Sequence, residues 1–537
     1  MRATPLTLLS PIPRWWSFWV ELTWRVARRS PRVEKPLRDL EFIHFARWAL
    51  VSRRSLLFLT SFDGSSIQYI DAFVRVVPER IMALYWRATG FPGARRFGPV
   101  KDYIDQHSHR VDHVWIAHPD ATARMVNQAL ALADLADPIT TAQEWEGDRP
   151  ATTLNVALSF RALRALGVPE AILDGFPKDF REGMAARARG LDDDPETWEL
   201  RDLEVLLIVH AQSADALDAE SERLEEELRG LEVAHVQHAA LLEDHAREHF
   251  GFTDGFSQLA IEGVAREHVP GQGIPYKRVP WWPLSRTRWR AIKPGEFVLG
   301  YEDEDRGLAP APPAPFDRNA TFMVWRKLHQ DVAGFRSQLA AQAQRLGLDV
   351  ELVAAKIAGR WRDGSPLALR PDAPDPGLGN DRHRANDFRY GDDPGGLRCP
   401  RGAHVRRTNP RDALGRAGDG RLTARHRILR RGMPYGPALP EGAPDDGVDR
   451  GLLFVCLQAW IERQFEIVQA QWCNDGNAFG LGAHGDPIAA PPDGEMRHMI
   501  EGDPPRFVSP LRSCVRCRGG EYLLVPSVGA LRALPRL

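Results

Sequence analysis

The sequence predicts an α+β protein built from more than one unit. The chain has 537 residues and is 43% hydrophobic, which exceeds the size at which a single core stops growing. Short apolar runs typical of strands alternate with segments in which apolar residues recur at helical spacing. The runs lie at 56–60, 113–117, 203–210 and 233–241, and the helical segments at 67–88, 122–135, 155–166 and 213–229. No fixed-period repeat is present, so we expect α+β units and not a solenoid.

Composition and motif content divide the chain into four parts. A Trp- and Arg-rich helical segment comes first, a small α+β unit follows, and two larger units complete the chain. Residues 360–400 span the boundary between the last two units and are rich in Pro, Gly, Asp and Arg. This composition predicts irregular structure of the kind that often covers ligand sites. The four parts are predicted at 1–38, 39–150, 151–385 and 386–537, and the last ends in a strand and helix over 522–534.

Charge and cysteine content narrow the classes of function. The 70 Lys and Arg residues nearly balance the 72 Asp and Glu residues, which argues against a polyanion as the main partner, so no nucleic acid is expected. Five cysteines are too few for a disulfide scaffold, and an odd number leaves a free thiol, which suits a reducing compartment. No apolar run reaches 18 residues and no secretory signal is present. We expect a soluble, cytoplasmic protein.

Residues 13–29 concentrate tryptophans beside arginines. Trp15, Phe18, Trp19 and Leu22 follow helical spacing, which is compatible with a helix lying in a membrane interface or docked on the chain's own body. The spacing does not decide between peripheral membrane contact, a protein contact and internal packing. The oligomeric state, including a homo-oligomer, is likewise left open.

The first motif with chemical content is GFTDG, residues 251–255. Glycines on both sides of Asp254 permit a tight turn that approaches a flat ligand closely, with the carboxylate directed into a cavity. Taken alone, Asp-Gly is an ordinary turn signal.

The second motif is CPRGAHVRRTNPRD, residues 399–412. Its His404 could serve as an axial ligand of haem iron, and neighbouring arginines could neutralise haem propionates. The arginines crowd on through residue 431, which also allows a nucleic-acid site, although stacking aromatic residues are missing there.

Two further segments complete the set. In ILRRGMPYG, residues 428–436, strand alternation places Arg430 and Arg431 on opposite faces, so that one of them can face a pocket. The apolar strand 451–458, which contains Phe454, and the amphipathic helix after it could form one wall of an apolar cavity, or could simply pack in a core.

These motifs together resemble the dye-decolourising (DyP-type) peroxidases. The GFTDG turn with its trailing Ser-Gln, and the three later segments CPRGAHVRRTNPRD, ILRRGMPYG and RGGEYLLVPS, match the family in its order along about residues 153–537. The resemblance implies two ferredoxin-like antiparallel-sheet units, with 151–385 as the N-terminal half and 386–537 as the half that carries the haem ligand. Leu259 departs from the proline that often follows Ser-Gln, and the first 150 residues lie outside the family's minimal chain.

The resemblance also implies roles for individual residues. His404 becomes the ligand of iron, Asp254 the acid-base residue and Arg430 the second catalytic residue. Asp486, in HGDPI, resembles the acid that holds the histidine, and Arg407 is a further candidate for contact with a propionate. In this scheme Asp254 moves a proton between the peroxide oxygens while Arg430 stabilises negative charge, and the acid strengthens donation from His404 to iron.

The implied activity is a haem b-dependent peroxidase that reduces hydrogen peroxide and oxidises a small organic donor, dye-like or phenolic. Tyr435, Trp325, Trp460 and Trp472 are candidate electron relays, although buried packing is the more common role of such residues. The alternative is a non-catalytic haem-binding or redox-sensing relative that its N-terminal region recruits to a membrane or partner.

Cys514 and Cys517 form a CxxC pair near the end of the chain. Arg518 follows, whereas covalent haem attachment requires histidine there, and a zinc site requires two more ligands. We therefore expect a structural pair and non-covalent haem.

Overall fold

A computed structural model of the chain describes its architecture. The described residues are 4–11, 43–52, 55–62, 151–211, 213–227, 233–242, 247–255, 257–264, 270–277, 287–414, 420–482, 484–490 and 496–537. The Trp-rich segment 13–29, the predicted strand 113–117 and the predicted helices 67–88 and 122–135 lie outside these residues.

A three-stranded antiparallel sheet lies near the start of the chain, in the order β1–β3–β2. Its strands are β1 (Thr4–Pro11), β2 (Ile43–Ser52) and β3 (Ser55–Phe62). The apolar run predicted as a strand at 56–60 lies within β3.

The larger sheet has seven antiparallel strands in the order β10–β11–β8–β14–β4–β5, with β9 paired to β11. The strand β14 lies between β8 and β4, so the end of the chain is built into the middle of the sheet. The strands are β4 (Thr152–Ser159), β5 (Val205–Ala211), β8 (Thr321–Gln330), β9 (Leu429–Arg430), β10 (Met433–Tyr435), β11 (Gly451–Gln458) and β14 (Val515–Val525).

Helices cover one face of this sheet and form the main core with it. The buried side chains there include Leu158, Phe180, Phe322, Tyr522 and Leu524, and removing such large apolar surfaces from water is the main stabilising contribution. The helices of this layer are α1 (Phe160–Ala165), α2 (Glu170–Leu173), α3 (Lys178–Arg187), α4 (Ala214–Glu227) and the C-terminal α10 (Val528–Ala533).

Two sequence predictions in this region are wrong. The helix expected at 155–166 begins only at Phe160, because β4 extends to Ser159, whose hydroxyl accepts from the Ala162 amide and caps the helix. The apolar run 233–241 forms no regular element, and Val233, Val236 and Leu241 are exposed. Its Ala240 amide donates to the carbonyl of Pro434 in β10.

A second core lies between two helices and a small sheet. Helices α5 (Val332–Leu346) and α6 (Val350–Ala358) start at the capping carboxylates of Asp331 and Asp349. They pack near the hairpin of β12 (Met496–Ile500) and β13 (Arg506–Leu511).

The remaining elements are short. The region 360–400 is largely irregular, as the sequence predicts, with one four-residue helix, α7 (Pro376–Gly379). The other short elements are β6 (Ile274–Lys277), β7 (Thr287–Arg290), α8 (His404–Thr408) and α9 (Arg421–Ala424).

After β11 the chain forms a twelve-residue π-helix, Glu462–Cys473, where the sequence predicts an amphipathic helix. Its carbonyls accept from amides five residues further on, as the Asn474 amide bonded to the Gln469 carbonyl shows. Helices of this type are rare and frequently lie at functional sites. The fold is thus α+β with antiparallel sheets, as predicted, and none of the helices in the described ranges combines the length and apolar composition needed to cross a bilayer.

Candidate active site

The histidine of the second motif is the first residue of α8. Its Nδ1 lies 3.0 Å from Oδ2 and 3.2 Å from Oδ1 of Asp486, which is 82 residues away in the chain. The pairing predicted for His404 and Asp486 is therefore present in the structure. A carboxylate on Nδ1 holds the proton there and leaves Nε2 with the lone pair that binds a metal ion.

Asp486 is fully buried and held as an anion. Its Oδ1 accepts from the backbone amides of Ile488, at 2.8 Å, and Ala489, at 2.9 Å. Burial alone would raise the pKa of Asp486, but the His404 and Arg407 charges and these hydrogen bonds together lower it. Burial would in turn lower the pKa of His404, and the charge and hydrogen bond of Asp486 outweigh that and raise it.

The acid of the first motif lies in an open turn. Gly251 and Gly255 have φ angles of 91° and 76°, a conformation that residues other than glycine rarely adopt. Asp254 Oδ1 lies 3.7 Å from Arg430 Nη2, and the two side chains are 52% and 47% exposed. The predicted acid-base pair is therefore brought together from residues 176 positions apart in the chain, and both groups remain accessible to a ligand.

Arg431, for which strand alternation predicts the face opposite Arg430, is exposed. Its Nη1 donates to Oε1 of Gln258, in the same segment as Asp254. The strand β9 contains only Leu429 and Arg430, and the Arg431 amide continues its pairing by donating to the Val455 carbonyl of β11.

The turn is held by Glu248, which sequence reasoning missed. Its two carboxylate oxygens accept from the amides of Phe250 and Phe252, and from the Gln330 side chain. Glu248 lies in a charged stretch without a motif, so no signal in the sequence distinguishes it. On the other side, the Thr253 hydroxyl donates to the Arg362 carbonyl at 2.6 Å.

The charges of Arg430 and of Glu248, which holds the Asp254 turn, both act on His404. Beyond the effects of burial and Asp486, the pKa of His404 is lowered by the Arg430 charge and raised by the Glu248 charge. Such effects fall off with distance, so both charges lie within electrostatic range of the imidazole.

The residues present fit a haem group. His404 is 28% exposed, and within the described part of the chain no hydrogen bond to its Nε2 is recorded. The donor set offers one nitrogen ligand backed by a carboxylate, and an accessible acid and guanidinium nearby, which is the set that haem peroxide chemistry requires.

Arg407, the candidate for a propionate contact, has a different role in the structure. It is buried, and its guanidinium donates to the carbonyls of Gly402, Trp472, Asp475 and His484. Because these carbonyls use its donors, Arg407 ties α8 to the loop that carries Asp486, and this placement does not support contact with a propionate.

Phe454, the candidate wall residue, packs against the main core and lies 6.1 Å, centroid to centroid, from Phe465 of the π-helix. The four aromatic residues suggested as relays are all buried, and the Tyr435 hydroxyl donates to Asp449. These side chains are Tyr435, Trp325, Trp460 and Trp472.

Much of the positive charge in the described part of the arginine-rich stretch is enclosed. Five of its arginines are buried: Arg406, Arg407, Arg411, Arg425 and Arg427. Phosphate groups need accessible side chains, so this burial removes the argument for a nucleic-acid site.

The CxxC pair forms no disulfide, and all five cysteines are free thiols. Burial raises the pKa of Cys514 to about 12, and that of Cys517 is also raised, chiefly by burial. Thiols held protonated are poor nucleophiles and poor metal ligands. In the described ranges no group of three or more His, Cys, Asp or Glu side chains is arranged to hold a metal ion.

Comparison with known proteins gives a consistent result. The C-terminal region of Dyp-type peroxidases matches residues 356–483. A dye-decolorizing peroxidase from Mycena epipterygia is 31% identical over 454 residues, which are 75% of this chain and 80% of that protein.

Two solved structures have the same fold over most of the chain. One, a decolorizing peroxidase from Auricularia auricula-judae, has a TM-score of 0.64 and 25% identity, and the match covers 77% of this chain and 94% of that one. The other, a dye-decolorizing peroxidase in complex with 2,6-dimethoxyphenol, has a TM-score of 0.63 and 27% identity, with 78% and 94% covered. The chain therefore belongs to the dye-decolorizing, or DyP-type, peroxidase family, and its activity is that of a peroxidase.

Proposed function

We propose that this protein binds haem b without a covalent link, reduces hydrogen peroxide to water and oxidises a small phenolic or dye-like donor. Peroxidases of this family depend on haem. The observation that carries the proposal is the Asp254–Arg430 pair near a histidine whose Nδ1 faces a buried carboxylate. The donor class is supported by the related peroxidase in complex with 2,6-dimethoxyphenol.

Haem, when bound, supplies an iron centre that passes two electrons to peroxide and recovers them one at a time from the organic donor. His404 would bind the iron through Nε2. Asp486 holds the proton on Nδ1 and so makes the imidazole a stronger electron donor. Arg407 keeps this arrangement rigid, because it joins α8 to the Asp486 loop.

The carboxylate of Asp254 would take a proton from one peroxide oxygen and deliver it to the oxygen that leaves as water. The guanidinium of Arg430 would stabilise the negative charge that develops on the leaving oxygen. Glu248 fixes the turn that carries Asp254, so the carboxylate is positioned before peroxide arrives.

The non-catalytic alternative receives no support from the site. A haem sensor has no need of an acid beside a guanidinium, yet both groups are present and accessible. Non-covalent attachment is supported by the CxxC pair, whose thiols are held protonated and whose next residue is Arg518.

The experiment is an absorption spectrum of the purified full chain with haem b, before and after hydrogen peroxide. We expect a Soret band that peroxide changes, and recovery of the starting spectrum on adding 2,6-dimethoxyphenol. His404→Ala should alter the band and abolish the response, whereas His383→Ala, at an exposed histidine, should leave both intact. All haem should be extracted by acidified solvent. A wild-type chain that gives no Soret complex, or one that peroxide does not change, contradicts the proposal.

A further inference from the structure

A buried arginine next to the catalytic strand lacks a partner. Arg427 is 7% exposed and lies three residues before Arg430. Within the described ranges, its guanidinium has no hydrogen bond or ion pair. Other buried arginines of this region are paired: Arg425 lies 2.7 Å from Asp305, and Arg463 lies 3.0 Å from Asp303.

The charges around Arg427 make its position unfavourable. Burial, followed by the like charges of Arg411 and Arg430, lowers the pKa of Arg427 to about 9, so the group is still a cation at neutral pH. An unpaired buried cation costs several kcal/mol because its hydration is lost without compensation. A nearby anion would remove this cost.

The neighbouring arginine does not need such an anion. Arg411 donates to the carbonyls of Asn386 and Phe388, each at 2.8 Å, and its guanidinium stacks 3.7 Å from the Phe388 ring centroid. Arg427 differs because only its backbone is fixed. Its carbonyl accepts from the Gln464 side chain at 2.7 Å, and its amide donates to Ala424. The backbone of Arg427 is thus anchored to the π-helix while its guanidinium is left for a ligand.

The position of Arg427 indicates which anion would pair with its guanidinium. Arg427 lies three residues before Arg430, so its backbone adjoins the strand that carries one member of the Asp254–Arg430 pair, and the Arg430 charge acts on both Arg427 and His404. Haem b carries two carboxylates, and a guanidinium binds a carboxylate through two parallel hydrogen bonds.

We propose that Arg427 binds a propionate carboxylate of the cofactor, the contact for which the sequence suggests Arg407. This inference rests on the proposed function, since it requires haem in the site. Arg427 therefore serves to bind the cofactor, whereas Arg425 and Arg463 form ion pairs within the protein. The apoprotein therefore bears an unpaired buried charge that haem neutralises.

The test compares Arg427→Met with Arg431→Met, which removes an equal charge from an exposed neighbour. Soret titrations of each full-length apoprotein use haem b and its dimethyl ester, which lacks the carboxylate charges. For Arg427→Met, the affinity for haem b should fall about tenfold to a hundredfold, as expected for a charge-assisted hydrogen bond. Its affinity for the ester should match the wild type, and Arg431→Met should bind both ligands like the wild type.

A second readout separates ligand binding from folding. Replacing an unpaired buried cation by an apolar side chain of similar length should leave the melting temperature of the apoprotein unchanged or raise it. The proposal is overturned if haem b binding is unchanged, if haem b and ester lose affinity equally, or if the apoprotein of Arg427→Met melts lower. The proposed function itself fails if the wild-type chain forms no haem complex or forms one that peroxide does not change, and neither outcome depends on Arg427.

Discussion

The two carboxylates of the site lie in different surroundings and therefore suit different tasks. Asp486 is enclosed, accepts two backbone amides and pairs with His404, which keeps it ionised. Asp254 lies on a turn between glycines and is half exposed, and among the described residues it contacts Arg430 and accepts from the Gly255 amide. A fixed anion suits the tuning of a ligand, whereas an accessible acid suits proton transfer.

Asp486→Asn should weaken donation from His404, because the amide retains the shape of the side chain but not its charge. With haem bound, the reduction potential of the iron should rise, and the rate of reaction with peroxide should fall about 10–100-fold, as is usual for loss of a group that supports a metal ligand. Spectroelectrochemistry and stopped-flow absorbance measure the two effects. Asp445→Asn, at an exposed carboxylate, serves as the control. An unchanged potential would show that Asp486 does not tune the ligand.

At the residue scale, the sequence predicted Asp254, Arg430, His404 and Asp486 because each lies in a short motif with a family resemblance. Spacing alone could not bring them together, since the contacts join residues 82 and 176 positions apart. Glu248 could not be found, because a carboxylate that caps a turn leaves no pattern.

At the scale of elements, the π-helix connects the core with the site. The Asp179 carboxylate accepts from the Glu462 amide at its start, and Glu466 accepts from Arg187 and from the Tyr522 hydroxyl. At its end, the Cys473 carbonyl accepts from the Asp486 amide. The sequence predicted a helix here, but its spacing could not reveal the π form, because the i→i+5 pattern depends on tertiary contacts at both ends.

Asp179, which contacts the start of the π-helix, should make the stability of the fold depend on pH. Burial, followed by the Glu466 charge, raises the pKa of Asp179 from 3.8 to about 6, although Arg187 and two amides oppose the shift. A carboxyl whose pKa is raised on folding binds a proton more readily in the folded state, so it destabilises the fold above pH 6 and ceases to do so as the pH falls towards 4.

The free energy of unfolding of the wild type should therefore gain about 2–3 kcal/mol from this group as the pH falls through that window. Asp179→Asn should lack this gain, because its amide does not titrate. Urea unfolding of both proteins is measured at pH 7 and pH 4. The difference between the two proteins cancels the effects of other titrating groups. Equal pH dependence in the two proteins would contradict the shifted pKa.

At the scale of the whole molecule, β14 joins the two predicted halves of the chain. It pairs with β8 along its whole length and with β4 near its end, so residues 515–525 complete a sheet that starts at residue 152. The sequence predicted a strand and terminal helix there, but periodicity could not show that the strand enters the middle of the sheet, because pairing order depends on contacts across the whole chain.

At Gly519, β14 passes very close to the backbone of Leu200. A Cβ at this position would lie 2.6 Å from both the carbonyl oxygen and the Cβ of Leu200, so Gly519→Ala must displace backbone. We expect a loss of about 1–3 kcal/mol in the free energy of unfolding, typical of overpacking. Gly529→Ala, in α10 with its nearest atom at 3.8 Å, should be neutral or stabilising by up to about 1 kcal/mol. Thermal unfolding distinguishes them, and equal behaviour would refute the close approach.

The central claim is that Asp254 and Arg430 act together on peroxide beside a haem held by His404. The most direct measurement is the rate constant of the haem-loaded chain with hydrogen peroxide for Asp254→Asn and Arg430→Leu, with Asp392→Asn as an exposed control. We expect losses of about 10²–10⁴-fold for the acid and 10²–10³-fold for the arginine, with the Soret band retained and the control unchanged. Rates within a few fold of the wild type in both variants would contradict it.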